Sequence, residues 1–179
     1  MSYPEKFHSI FARNCEVRRI EKDAAADFLN RCHLYGDCAA KYRYGIFVQR
    51  YSGAENRPQP DQSGVLTEPF HPYPVGTLVA VASFSNGRKW LKGEQEIRSF
   101  EWLRYASLPE VRVIGGMGRI LSTFIEEVHP DDIMSYAPAE HYEGEVYEKL
   151  GFVREGIKTF VKDGIEASSI KFRLKLTEY

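Results

Sequence analysis

PEVRVIGGMGRILSTFIEEV, residues 109–128, joins a short apolar run to a glycine cluster and then to a long apolar stripe. Gly115, Gly116 and Gly118 form the cluster. Met117, Ile120, Leu121, Phe124, Ile125 and Val128 then recur at the spacing of one helical face. Pro130 closes that helix, because proline has no amide hydrogen to extend the ladder. A strand feeding a glycine turn and an amphipathic helix makes a place for an anion. Glycines let a ligand approach the backbone, and the first amides of a helix carry partial positive charge without internal partners. Arg112 and Arg119 flank the turn and can add charge-assisted hydrogen bonds to phosphate oxygens. The same glycines also suit a tight turn that binds nothing. Two nucleotide motifs are excluded by residue type. A Walker loop ends Gly-Lys-Ser/Thr, whereas this one ends Gly118-Arg119-Ile120, and a dinucleotide fingerprint needs a third glycine where Leu121 stands.

Working outward, Cys15–Ile20 alternates in polarity and predicts a strand. Asp23–His33 predicts a helix with Ala24, Phe28, Leu29 and Cys32 on one face, broken by Tyr35-Gly36-Asp37. Tyr42–Arg50 and Thr77–Phe84 predict strands. Between them, residues 51–75 hold Pro58, Pro60, Pro69, Pro72 and Pro74 and read as a long loop insertion with a short hairpin at Val65–Phe70. After a turn at Ser85–Arg88, Gln95–Ala106 predicts a strand on which Glu101 and Trp102 point to opposite faces. Beyond the central stretch come a strand at Asp132–Tyr136 and a short helix at Glu143–Leu150 stopped by Gly151. Strands at Thr159–Lys162 and Ser169–Leu176 then flank the turn Asp163-Gly164. This order predicts one α/β (α+β) domain over residues 1–179, a mixed sheet covered by helices.

Of the 179 residues 43% are hydrophobic and 27% charged, ordinary globular values that exclude dominant disorder. No apolar run approaches the length of about 20 residues that a bilayer requires, so no membrane partner is expected. Twenty-four Lys and Arg against 25 Asp and Glu leave a formal charge of -1, so nucleic-acid binding would need a local basic face. MSYPEKFHSIFARN lacks the apolar core of a secretory signal, and Cys15, Cys32 and Cys38 form no repeated CxxC pair. These features predict a cytoplasmic, reduced protein. Cys32-His33 with Cys38 supplies three ligands at no common zinc spacing, and no metal is expected.

LPEVRVIGGMG at 108–118, followed by YEKLGF at 147–152, resembles the GCN5-related N-acetyltransferase superfamily. Members carry an Arg/Gln-x-x-Gly-x-Gly/Ala loop that receives the coenzyme A pyrophosphate, and a fourth helix that commonly reads Tyr-Glu-Lys-x-Gly-Phe. The resemblance implies a mixed, mostly antiparallel central sheet flanked by helices. The loop fits in two registers: one matches Arg112 and Gly115, the other Gly116 and Gly118 with Val113 at the Arg/Gln position. Either implies the same acetyl-CoA (or other acyl-CoA) site on Val113, Ile114, Gly115, Gly116, Met117 and Gly118, with Arg112 and Arg119. Ser135-Tyr136, Gly144, Tyr147 and Leu150-Gly151-Phe152, with His33-Leu34-Tyr35-Gly36, are most similar to small acyltransferase-like domains of phages. Pro138-Ala139 replaces that subgroup's Asp-Arg, so its substrate is not carried over.

The resemblance implies roles for particular side chains. Tyr147 stands where the family places the general acid that protonates the departing thiolate, and it reads equally as a core tyrosine packed on Phe152. Glu101 is the candidate general base, equally explained as an ion-pair partner of Arg98 or Arg104; His33 and His141 are alternatives. The family's Asn before the helix tyrosine is replaced by Ala139-Glu140-His141. His33 and Tyr35, with Tyr42, Phe70 and Tyr73, are expected to frame the acceptor pocket together with the long loop. The implied activity is acyl-CoA-dependent N-acyl transfer to an amine of a small molecule or nucleobase. The alternative is a non-catalytic module binding DNA or a protein, with Arg13, Arg18, Arg19, Lys41, Arg43, Arg88, Lys89 and Lys92 on one face. Edge strands near the C-terminus are compatible with a homodimer.

Overall fold

A computed structural model describes residues 7–53, 56–140, 145–162 and 164–179. The chain begins with β1 (His8–Phe11), a single 3-10 turn (Ala12–Asn14), β2 (Cys15–Arg19), α1 (Lys22–Cys32) and β3 (Tyr42–Val48). Two short strands, β4 (Gln59–Pro60) and β5 (Leu66–Thr67), lie in the proline-rich loop. Then come β6 (Leu78–Phe84), β7 (Arg88–Lys92), β8 (Gln95–Ser107), β9 (Val111–Ile114) and α2 (Gly116–Val128). The chain finishes with β10 (Asp132–Pro138), α3 (Val146–Lys149), β11 (Val153–Lys162) and β12 (Ile165–Lys175).

The main sheet runs β11-β12-β10-β8-β6-β3-β2, with β7 also paired to β8. Its pairs are antiparallel except β10 with β8. This is the mixed, mostly antiparallel sheet that the family resemblance implies. The apolar stripe of α2 covers one face: Phe124 stacks on Phe84 at 4.0 Å and meets Phe100 edge-on at 5.5 Å. On the other face Ala25, Phe28 and Leu29 of α1 pack on Val81 and Ala106. Trp102 is buried under α2, whereas Glu101 faces the opposite side, as strand alternation requires.

Three strands were not foreseen. β1 and β9 pair in parallel with each other, His8 opposite Val111 through Phe11 opposite Ile114, so neither is meaningful until the fold brings both together. β7 is exposed along its whole length and carries no alternation; its hairpin with β8 forms it. The hairpin in the long loop pairs Gln59-Pro60 with Leu66-Thr67 and not residues within Val65–Phe70. Asp61 sets that turn, its carboxylate accepting the amides of Ser63 at 2.8 Å and Val65 at 3.0 Å. α3 is shorter than expected, and Glu143 lies outside the described residues, as do Gly144 and Asp163.

Two irregularities shape the centre of the sheet. Against β6, Ser83 faces Arg104 but Phe84 faces Trp102, so Leu103 is an extra residue that bulges from β8. Against β10, the ladder that starts at Ser99 and Asp132 ends at Trp102 and Ser135. Beyond that point β8 stays with β6 and β10 stays with β12, and the two parallel strands part. A bulge bends and twists its strand, and this one lies at the parting.

Candidate active site

The fork has a polar apex. Ser135 is 1% exposed, and its hydroxyl donates to the Trp102 carbonyl at 3.0 Å. With its hydrogen so used, the same oxygen is left to accept the Tyr147 phenol at 2.9 Å. The YEKLGF segment therefore delivers Tyr147 to the point where the strands separate. The ring is held by Phe172, stacked at 5.0 Å, by Phe152 at 5.5 Å and by the edge of Trp102 at 6.3 Å. Burial raises the Tyr147 phenol above its ordinary pKa, and the Ser135 hydroxyl, able to turn and donate to a phenolate, opposes that. The bulge is clamped from both sides. The Trp102 indole donates to the Arg104 carbonyl at 3.0 Å, and the Arg104 guanidinium donates to Leu103 O at 2.8 Å and Gly36 O at 3.0 Å.

The glycine turn lies beside α3. Gly115 takes φ 77° and ψ 6°, a left-handed conformation that costs other residues about 1–2 kcal/mol. A Cβ on Gly116 would stand 2.6 Å from the Tyr105 hydroxyl and 2.9 Å from Val113 Cγ1. A Cβ on Gly118 would meet the Leu150 side chain at 3.6 Å, which makes the two sequence motifs neighbours in space. Helix geometry leaves the amides of Gly116, Met117 and Gly118 without intrahelical acceptors. Among the described residues no turn or cap hydrogen bond uses them; the first one engaged is Arg119, to Gly115 O at 3.0 Å. In front lies an open depression of about 380 Å3 lined by Gly115, Gly118, Arg119, Ser122 and Arg13. The β1–β9 pairing is what carries Arg13 there.

The opposite face of the sheet holds a larger trough of about 860 Å3, floored by β8, β10 and β12 and walled by β7 and β11. Glu101 lines it. Burial raises the Glu101 carboxyl above the usual carboxylate range, while Arg88, Arg104 and Lys158 pull it back. Tyr147 thus stands on the face of the sheet that α2 covers, and Glu101 on the face of the trough.

No protein-family model matches the chain, and no curated protein matches it in sequence. The likeness appears in three dimensions. NAA60 from Arabidopsis thaliana, in complex with acetyl-CoA, aligns with a TM-score of 0.60 at 9% identity over 90% of this chain and 99% of that one. Mutant forms of the spermidine/spermine N-acetyltransferase SpeG from Vibrio cholerae give 0.56 at 14% identity over 90% and 94%. An acetyltransferase from Bacillus subtilis in complex with CoA gives 0.51 at 14% identity over 91% and 99%. The fold is that of the GCN5-related N-acetyltransferases.

Within this acetyltransferase fold the residues singled out from sequence separate into groups. Ile114, Gly115, Gly118 and Arg119 line the depression, Gly116 and Met117 belong to the first turn of α2, and Val113 lies on β9. Arg112 is exposed on β9 opposite Ser9 and does not line the depression, where Arg13 is found instead. His33 Nδ1 accepts the Tyr35 amide at 3.1 Å, which leaves the neutral ring's hydrogen on Nε2 and no free lone pair for a base. Burial, helped by Arg104, lowers its pKa to about 4. His33 and Tyr35 sit by the turn tied to Arg104, outside the trough lining, and His141 lies outside the described residues.

The aromatic frame expected from the long loop is not around the trough. Tyr42 is a core contact of Phe124 at 5.5 Å, and Phe70 and Tyr73 line a separate cavity of about 110 Å3. Residues of the hairpins β7–β8 and β11–β12 line the trough instead. Nor do the eight cations gather. Arg18 and Arg19 lie on the edge strand β2, Arg88 and Lys92 on β7, and Arg18, Arg19 and Lys89 are paired with Glu16, Glu127 and Glu96. Among the described residues no group of three His, Cys, Asp or Glu is placed to hold a metal ion, and the three cysteines are free thiols.

The two helical glycines make a controlled comparison. Gly116→Ala forces a methyl group into Val113 and Tyr105 and is expected to cost about 1–3 kcal/mol in chemical denaturation. Gly118→Ala makes only an ordinary contact and is expected to leave stability unchanged or higher, since Ala favours helix over Gly by about 1 kcal/mol.

Proposed function

We propose that this chain is an acyl-CoA-dependent N-acyltransferase, moving an acetyl group from acetyl-CoA to an amine of a small molecule or nucleobase. The observation that carries the reading is the convergence of three features. An unused amide turn, a fork between two parallel strands, and a tyrosine hydroxyl at the fork's apex lie in one connected region. The residues present fit the coenzyme. Amides of Gly116 to Gly118, with Arg13 and Arg119 beside them, suit a diphosphate. The parted edges of β8 and β10 offer backbone groups to the two amides of a pantetheine arm, in the manner of an added strand. The carbonyls of Trp102, Leu103 and Arg104 are exceptions, since they already accept the Ser135 hydroxyl, the Arg104 guanidinium and the Trp102 indole.

Bound acetyl-CoA supplies an acyl thioester, from which transfer forms one C–N bond and breaks one C–S bond. The chain's own part is proton management and orientation. Glu101, raised by burial, suits acceptance of the proton that an amine must lose, directly or through water. Tyr147 keeps its proton at neutral pH, and its hydroxyl, turned from Ser135 toward the fork, can give that proton to a departing thiolate. Acid and base stand on opposite faces of the sheet, so neither neutralises the other.

Calorimetry with acetyl-CoA tests the reading. Binding is expected, with a stabilisation of about 2.7 kcal/mol when ligand is present at about 100 times Kd. Arg13→Gln and Arg119→Gln are each expected to weaken binding about tenfold, the loss of one charge-assisted contact. Absence of both heat and thermal shift would remove the transferase reading.

A further inference from the structure

We infer that the acceptor taken by the trough is an amine that also bears a phosphate, and not a polyamine. The inference rests on the N-acyltransferase reading and deepens it. Cations outnumber acids along the trough, and the ion pairs sharpen the imbalance. Arg173 is held by Asp132 at 2.7 Å and Glu155 at 2.6 Å, and Lys171 by Glu155 at 2.8 Å, so these groups largely cancel. Arg88, Lys92, Lys158 and Lys175 have no carboxylate within ion-pair distance among the described residues. The acid left over is Glu101, the proposed base, which feels both Arg88 and Lys158.

The floor beneath these cations also holds a buried carboxylate. Asp132 is 1% exposed on the trough floor, one of its oxygens taken by Arg173 and Tyr179. The other, Oδ1, has no hydrogen-bond partner among the described residues. A buried acceptor without a donor costs stability unless something supplies one. The trough therefore offers several cations that no carboxylate neutralises among the described residues, complementary to a molecule that bears a phosphate.

The chemistry agrees with this polarity. An amine must be neutral to attack, and neighbouring cations lower its pKa. Several ammonium groups in the same trough would instead be repelled, so the expected preference is opposite to the substrates named for SpeG. On the rim, Trp90 is 48% exposed and Phe160 39% exposed, offering flat faces to a planar ring. A nucleotide is accordingly the first phosphate-bearing amine to try.

The test uses cytidine 5′-monophosphate, a short cytidine-containing single strand and spermidine. Calorimetry is run on the full chain and on the double variant Arg88→Gln/Lys158→Gln, with acetyl-CoA titrated separately into each. At least one phosphate-bearing probe is expected to bind and to weaken about tenfold or more in the double variant, with Arg88→Lys retaining much of the affinity. Spermidine is expected to bind neither protein, and acetyl-CoA to bind both alike. Which of the two phosphate probes binds better tells a free nucleotide from a strand. Tight spermidine binding, no phosphate probe binding, or phosphate binding indifferent to the double variant would each overturn the inference. Acetyl-CoA failing to bind while the phosphate site holds would strike the transferase reading alone.

Discussion

Tyr147→Phe is expected to lower kcat by about 10²- to 10³-fold while leaving acetyl-CoA affinity within about twofold, the range for losing one general acid. The exchange removes a single hydroxyl. Ser135 still donates to the Trp102 carbonyl, and the ring still packs on Phe172 and Phe152, so the apex of the fork keeps its shape. The stability cost is that of one hydrogen bond, about 1 kcal/mol. The measurement pairs saturating turnover with calorimetry of cofactor binding. A kcat at the parent value would return Tyr147 to the role of a core ring whose hydroxyl merely satisfies Ser135.

Glu101→Gln should cost turnover on a similar scale, about 10²–10⁴-fold, and its signature is the pH profile. A base must be ionised to act, and burial lifts the Glu101 carboxyl above the usual range. Activity of the parent should therefore fall as pH drops through that raised value, and the Gln variant should lose this acid limb. Stability runs the other way. A carboxyl whose folded pKa is raised stabilises the fold when protonated at low pH, and that contribution is lost as pH climbs through the folded value. The Gln variant, permanently neutral, is expected to melt at or above the parent temperature near pH 7. An acid limb that survives in the variant would place the base elsewhere.

Much of the site was legible from local pattern, and what was missed shares one cause. The stripe from Ile120 to Val128 announced α2 because a helix writes its buried face into its own spacing. The opposed directions of Glu101 and Trp102 followed from strand alternation. By contrast, Arg13 reaches the glycine turn through the parallel pairing of β1 with β9, two four-residue segments with no pattern of their own. The trough is assembled from five strands spread over β7 to β12, with no single segment carrying its signal. That Tyr42 packs on Phe124 while Phe70 and Tyr73 line a cavity apart from the trough was hidden for the same reason: aromatic residues look alike in sequence whether they stack on a core ring, on a loop or on a ligand. The bulge at Leu103 was equally silent, since its meaning lies in the register of a neighbour.

That surplus residue sets stability against use. Were β8 shorter by Leu103, a regular strand could go on bonding to β10 past Ser135, gaining rungs and a flatter, tougher sheet. It would also seal the slot that the proposed binding of an acyl-CoA requires. Selection for a sturdier molecule and selection for a working one would then pull on the same codon in opposite directions.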